Sequence, residues 1–209
     1  LGCDTRIGPK YLKGALGYGG PCFPRDNVAF SALAQANGVP ALLAEATDQL
    51  NRRQVPRLAE LILSRLPDGG IVGLLGLAYK PNTEVIDESQ GVALARHLLS
   101  LGTRVVVYDP AAMENARAVL AGPVTFAVSA TDCIRQADIL AITTPWEEFR
   151  ALRREDWNHS SRVPVILDCW RLLNAPQFQI GFQYLTLGQG AGPQSGRPLL
   201  SALAQPVGD

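Results

Sequence analysis

Apolar residues follow two different rhythms along this chain, and the change comes at residues 67 to 70. Before it the spacing is helical. From Asp26 or Asn27, either of which suits an N-cap, Val28, Phe30, Leu33 and Ala34 recur at helix spacing until Gly38. Pro40 suits a first helical turn, and Leu42, Leu43, Ala46, Leu50, Leu58, Leu61 and Ile62 predict a second helix reaching toward Leu66. Pro56 lies inside that stretch and predicts a kink or a split, because it lacks an N–H and its ring crowds the preceding turn. Pro67-Asp68-Gly69-Gly70 then punctuates the chain, and the main domain boundary is expected there.

Beyond that boundary the apolar runs become continuous and short. Ile71 to Ala78 is of strand length, a helix is predicted from about Ser89 to Leu101, and Arg104 to Tyr108 is a second run, which together read as a βαβ unit. Val124 to Val128, Ile139 to Thr143 and Val165 to Leu167 are three more buried-strand candidates separated by helix-like segments. The expected fold is therefore α/β: a helical segment over residues 1–68, then a domain over 69–188 whose parallel sheet is covered on both faces. Residues 189–209, rich in Gly, Pro, Gln and Ser, are expected to form a poorly ordered tail.

Charge narrows the partners. Nineteen basic residues balance nineteen acidic ones, so no net field favours nucleic acid or an anionic membrane, and any phosphate site must be local. No apolar run approaches the roughly 20 residues of a membrane span. Cys3, Cys22, Cys133 and Cys169 contain no CxxC pair for zinc or redox work, which suggests a reducing, cytoplasmic compartment and no metal site. The chain starts at Leu1 close to a motif-bearing stretch, and the expectation is that a natural N-terminal portion precedes it. His97 and His159, far apart in sequence, are expected on a helix and in a loop and suggest no shared site.

Gly17-Tyr18-Gly19-Gly20-Pro21-Cys22-Phe23-Pro24-Arg25-Asp26 is the most informative stretch. Its glycines open backbone conformations closed to other residues and allow close approach of a ligand. Cys22 falls between this loop and the start of the next helix, where backbone N–H groups favour a thiolate able to attack an aldehyde. On position alone, the reading of Cys22 as a small buried hydrophobe and of Asp26 as a helix cap is the stronger one.

A wider set of motifs distinguishes these readings. Arg6-Ile7-Gly8, Tyr11-Leu12-Lys13-Gly14 and the glycine-rich cysteine segment occur in order, followed by Gly76-Leu77-Ala78-Tyr79-Lys80-Pro81-Asn82-Thr83, Glu88-Ser89 and Val107-Tyr108-Asp109-Pro110. Over residues 1–188 this series resembles the UDP-glucose 6-dehydrogenases of the UDP-glucose/GDP-mannose dehydrogenase family. The resemblance implies a helical dimerisation segment followed by a Rossmann-like parallel-sheet domain that binds UDP-sugar. It further implies oxidation of the C6 alcohol of UDP-glucose to UDP-glucuronate with two NAD, through a thiohemiacetal and a thioester on cysteine.

Residue by residue, Cys22 matches the nucleophile and Asp26 the aspartate that positions or activates water. Arg6 matches an arginine that reaches across a homodimer interface to the partner's substrate. Tyr11, Lys13 and Tyr18 match sugar and uridine contacts, Gly19 a backbone contact to the base, and Lys80 a substrate-contacting lysine. Without the resemblance, Arg6 and Lys80 read as solvated charges. Phe23-Pro24-Arg25-Asp26 is nearer the UDP-glucose form of the loop than the forms used for other nucleotide sugars.

The chain also departs from the family pattern. Pro21 stands where a small polar residue is usual, and Pro56 interrupts the helix that builds the dimer. Trp170 stands at a position usually held by arginine, with Arg171 as the cofactor-binding substitute. The NAD-binding domain, with its GxGxxG turn, is expected outside these 209 residues. Gly73-Leu74-Leu75-Gly76 lies inside a strand and the loop after it is too long for a phosphate-binding turn, although Asp109 mimics a ribose-binding acid. The competing expectation is an orphan UDP-sugar-binding or dimerisation module without turnover. A third, an independent NAD-binding protein, rests on residues 71–145 alone.

Overall fold

The computed structural model describes residues 1–10, 12, 15–157 and 163–188. The tail expected over 189–209, with Tyr11, Lys13, Gly14 and His159, lies outside the described residues. Three helices lead: α1 (Phe23–Ala36), α2 (Leu42–Arg52) and α3 (Gln54–Leu63). The start of α1 corrects the sequence reading. Cys22, not Asp26 or Asn27, occupies the cap position, and Pro24 sits in the first turn, where its missing N–H has no intrahelical partner to lose. Asp26 is already helical, its N–H donating to Cys22 O at 2.8 Å. The second predicted helix does split, at Arg53, so that Pro56 falls in the first turn of α3 instead of inside a continuous helix.

A six-stranded sheet follows, in the order β3-β2-β1-β4-β5-β6 with every pairing parallel. Its strands are β1 (Ile71–Leu75), β2 (Arg104–Tyr108), β3 (Val124–Phe126), β4 (Ile139–Ile142), β5 (Val165–Asp168) and β6 (Gln183–Thr186). Helices α4 (Gln90–Ser100), α5 (Met113–Val119), α6 (Ala130–Gln136) and α7 (Glu147–Arg150) connect the first four strands and follow β4. Every residue of β4 and β5 is buried, which requires cover on both faces because successive side chains point opposite ways. β1 is shorter than its apolar run suggests. It ends at Leu75 because Gly76 turns the chain at φ +111°, so Leu77 and Ala78 are buried in a loop instead of a strand.

β6 was not anticipated, because Gln183-Tyr184-Leu185-Thr186 has no continuous apolar run and its residues are only partly buried. Its place is fixed by an aromatic cluster, with Phe178 and Phe182 at 5.2 Å, Trp157 and Phe182 at 5.8 Å, and Phe178 stacked on Tyr184 at 6.0 Å. One apolar core runs across the Pro67–Gly70 turn: Leu58, Ala59 and Ile62 of α3 are buried in the same cluster as Leu74, Leu94 and Ile142. α1 and α2 differ, since α1 buries only Pro24 and α2 buries no residue. Among the described residues, no helix is long and apolar enough to cross a membrane.

Asp109, just past β2, is 1% exposed and uses both carboxylate oxygens. Oδ2 accepts from Leu77 N at 2.7 Å, Ala78 N at 2.9 Å and Trp146 Nε1 at 3.0 Å. Oδ1 accepts from Ala111 N at 2.9 Å and Ala112 N at 2.8 Å. Removing the carboxylate strands the donors of Leu77, Ala78, Ala112 and Trp146 in the interior. Asp109→Ala is therefore expected to cost about 3 kcal/mol or more in denaturant unfolding; a loss under about 1 kcal/mol would contradict this account.

Beside it, burial and then Glu148 push the Tyr108 hydroxyl up to about 12. A folded-state pKa above the ordinary value of about 10 gives stability that is complete below pH 10 and lost as pH rises toward 12. Tyr108→Phe should flatten that part of the alkaline stability curve, measured by denaturant midpoint against pH.

Candidate functional site

Parallel strands bring all their carboxyl ends to one edge, and the chemistry-bearing segments gather there. After β1, every polar main-chain group from Gly76 N to Leu77 N, and from Ala78 N to Tyr79 N, has a protein partner. Gly76 N donates to Tyr108 O at 2.8 Å, Thr143 Oγ1 donates to Gly76 O at 2.6 Å, and Thr144 Oγ1 donates to Ala78 O at 2.7 Å. Asp109 takes the N–H groups of Leu77 and Ala78, and Tyr79 N donates to Val85 O at 3.0 Å. The result is a fixed platform that presents Tyr79 and Lys80. Lys80 is exposed, with its ammonium 5.4 Å from the centre of the Tyr79 ring.

The glycine-rich segment seats itself against this platform. Gly20, at φ +91°, donates its N–H to Asp87 O at 2.9 Å, and a Cβ there would lie 2.5 Å from the Tyr79 ring. A Cβ on Gly19 would stand 2.2 Å from Glu88 O, a backbone atom that cannot step aside. These glycines are therefore explained by close packing of main chain on main chain. The segment then enters α1 at Cys22, whose thiol is exposed and free, with no side-chain cap bond. Asp26 follows one helical turn later on the same face, 65% exposed, and accepts from the Arg25 guanidinium at 3.2 Å. Cys133 and Cys169, by contrast, are buried, and that burial pushes both thiols well up.

The remaining expected residues divide. Tyr18 and Gly19 lie in the seated segment, which meets the Tyr79 ring at Gly20 and Glu88 at Gly19, while Lys80 approaches the same Tyr79 ring. Burial raises the Tyr18 hydroxyl above its ordinary range, and its ring lies 6.1 Å from Phe23. Arg6 is 87% exposed and closes on Asp4, at 2.7 Å, within its own loop. Arg171 follows β5 in a left-handed conformation, φ +52°, and donates to Leu187 O at 2.9 Å. It lines a cleft of about 490 Å³ with Phe178, Phe182 and Tyr184. Trp170 Nε1 donates to Thr143 O at 2.9 Å, tying the β5 end to the β4 end. Asp168, fully buried, accepts from Trp170 N at 3.1 Å, Leu173 N at 2.8 Å and Tyr184 Oη at 2.8 Å.

Sequence reasoning missed Asn51, Gln90, Glu88 and Tyr79 as supports of the loop. Tyr79 and Glu88 were visible only as parts of motifs, and Asn51 and Gln90 act through carboxamides, for which no sequence rhythm exists.

The strand order is that of a dinucleotide-binding sheet, yet the end of β1 does not fit NAD. The N–H groups of Leu77 and Ala78 are committed to Asp109, and both Asp109 oxygens are committed in turn, so neither pyrophosphate nor ribose finds its usual partner.

Comparison with known proteins agrees with this architecture. Residues 1–53 match the model of the UDP-glucose/GDP-mannose dehydrogenase family, central domain, and residues 73–175 match the UDP binding domain of the same family. The chain belongs to the UDP-glucose/GDP-mannose dehydrogenase family. It is 38% identical over 174 residues to the UDP-glucose 6-dehydrogenase AglM of Haloferax volcanii, covering 83% of this chain and 40% of that protein. It is 33% identical over 200 residues to the UDP-glucose 6-dehydrogenase of Rhizobium meliloti, covering 90% of this chain and 44% of the relative. The solved UDP-glucose dehydrogenase of Pyrobaculum islandicum superposes with a TM-score of 0.72 at 35% identity, over 88% of this chain and 40% of that one. The chain thus spans less than half the length of these relatives.

In this family member, Gly19→Ala is expected to unseat the thiol loop, because the clash is with backbone. Limited proteolysis should then cut within residues 17–22 at least about tenfold faster, a change of ~1.4 kcal/mol in local opening; unaltered resistance would mean that the Glu88 contact is not what holds the loop.

Proposed function

We propose that this chain is the thiol-bearing, UDP-sugar-binding half of an NAD-dependent UDP-glucose 6-dehydrogenase. What carries the reading is one conjunction in a member of this family: an exposed thiol at the start of α1, directly after a loop seated by Gly19 on Glu88 and by Gly20 on the Tyr79 ring that Lys80 also approaches. UDP-glucose is favoured by the Phe23–Asp26 continuation and by relatives named for that substrate. Lys80, with Arg6, Tyr11, Lys13, Tyr18 and Gly19, would hold the nucleotide sugar, the ammonium supplying charge to the diphosphate. Free thiols at Cys3 and Cys22 suit a reducing cytoplasm.

NAD supplies the hydride acceptor in each of two oxidations, held elsewhere in the complete enzyme, with Arg171 as this chain's contribution to its site. The Cys22 sulfur adds to the C6 aldehyde left by the first oxidation, and the aldehyde oxygen takes a proton, giving a thiohemiacetal. Loss of a hydride and a proton from that adduct leaves a thioester. Water opens it, Asp26 accepts the water proton, and the products are the carboxylate and the free thiol. Arg25 engages only Oδ1 of the exposed Asp26 carboxylate, so Oδ2 can take the proton with the ion pair in place.

The proposed assembly is a homodimer through α1 and α2. Phe23, Phe30, Leu33, Leu42, Leu43 and Leu50 are all more than half exposed, a larger apolar share than a free surface usually carries. Arg6 would then reach the partner's substrate in place of Asp4.

A second reading, a UDP-sugar-binding module without turnover, is favoured by Pro21 and Trp170, which stand where the family pattern has a small polar residue and an arginine. Titration calorimetry of the 209-residue chain with UDP should show binding under either reading, weakened about tenfold, ~1.4 kcal/mol, by Lys80→Ala. No binding would remove both. In the complete enzyme Cys22→Ser should abolish formation of UDP-glucuronate, and normal turnover by that variant would sink the assigned role.

A further inference from the structure

We infer that Asn51 is a positioning residue for the thiol loop, its carboxamide holding the Tyr18 main chain as a neighbouring strand would. Tyr18 N donates to Asn51 Oδ1 at 2.9 Å, and Asn51 Nδ2 donates back to Tyr18 O at 3.0 Å. Gln90 Nε2 adds a second donor to the same Tyr18 O at 3.2 Å. Asn51 is in the last turn of α2 and Gln90 opens α4, so the Tyr18 peptide is where the leading helices, the sheet domain and the thiol loop meet.

The residue types are constrained by this contact. Only a carboxamide offers a donor and an acceptor side by side in the geometry of a peptide group; aspartate lacks the donor, and alanine lacks both. Asparagine is also a poor helix former, and α2 buries no residue, so neither propensity nor core packing accounts for it. Gly17 is fitted to the same contact, since a Cβ there would lie 2.1 Å from Asn51 Oδ1 and 2.9 Å from Gln90 Oε1. Tyr18 stands four residues before Cys22 and packs its ring on Phe23, so a shift at Tyr18 is carried into the first turn of α1.

The inference rests on reading Cys22 as the nucleophile, and two measurements on the 209-residue chain separate the two ideas. The first is site-resolved amide exchange. Asn51→Ala should lower protection of the Tyr18 amide at least tenfold while amides of β1 and β4 keep theirs. Asn51→Asp, which keeps the acceptor, should retain more Tyr18 protection than Asn51→Ala.

The second is alkylation by iodoacetamide followed by mass spectrometry, with exposed Cys3 as the internal reference. Asn51→Ala should change the Cys22-to-Cys3 rate ratio at least threefold, with Asn51→Asp between it and the unsubstituted chain. Unchanged Tyr18 protection, or an unchanged ratio, overturns the inference whatever UDP does. Loss of helix α2 as a whole, with equal effects from Ala and Asp, also overturns it, because that is what a purely structural role predicts. Should Asn51→Ala fail to fold, Gln90→Ala decides, with a smaller change expected in the same direction in both measurements and none if the clamp is irrelevant. A failure of UDP binding in the unsubstituted chain would count against the nucleotide-sugar reading and leave these outcomes intact.

Discussion

A single buried carboxylate organises the edge on which this protein's chemistry is built. Asp109 has no route to solvent, so its charge is tolerable only because main-chain N–H groups and an indole surround it. Those donors come from the loop after β1, from the chain after β2 and from Trp146 after β4, and one side chain thereby fixes three strand ends relative to one another. Dinucleotide-binding sheets use an acidic residue in this region to hold a ribose. Here the same position is turned inward, and the loop it fixes presents Tyr79 and Lys80 outward.

The thiol loop has little core of its own. It is held by contacts that need the absence of side chains at Gly17, Gly19 and Gly20, and by hydrogen bonds from the loop to Asp87 O and with Asn51 and Gln90. Such contacts are directional and short, so they hold a backbone in one place with little buried apolar area. That suits a segment whose last residue must remain exposed, as Cys22 is. The leading helices show the complementary case, keeping apolar side chains such as Leu43, 85% exposed, on the outside where another surface could cover them.

The parts of the fold that were legible in the sequence are those carried by apolar pattern. β2 was read with its observed ends, α4 to within a residue at each end, and the split near Pro56 followed from missing N–H chemistry. Misread features have local causes. Asp26 looked like a cap because carboxylates favour first turns as well as caps, and the sequence does not separate the two. β6 escaped because an edge strand with partly polar residues has no pattern of its own, and the aromatic cluster that fixes it comes from three separate segments.

The sequence by itself determined the α/β class, the family, and which thiol, carboxylate and lysine are candidates for chemistry, because motif order and apolar rhythm are properties of neighbours along the chain. Only the tertiary structure decided that Asp109 is a structural anchor and not a ribose ligand, that Gly19 is glycine because of Glu88, and that Asn51 stands against Tyr18. Each of those facts depends on atoms separated by tens of residues, and a donor or an acceptor acquires its meaning only when folding shows what it faces.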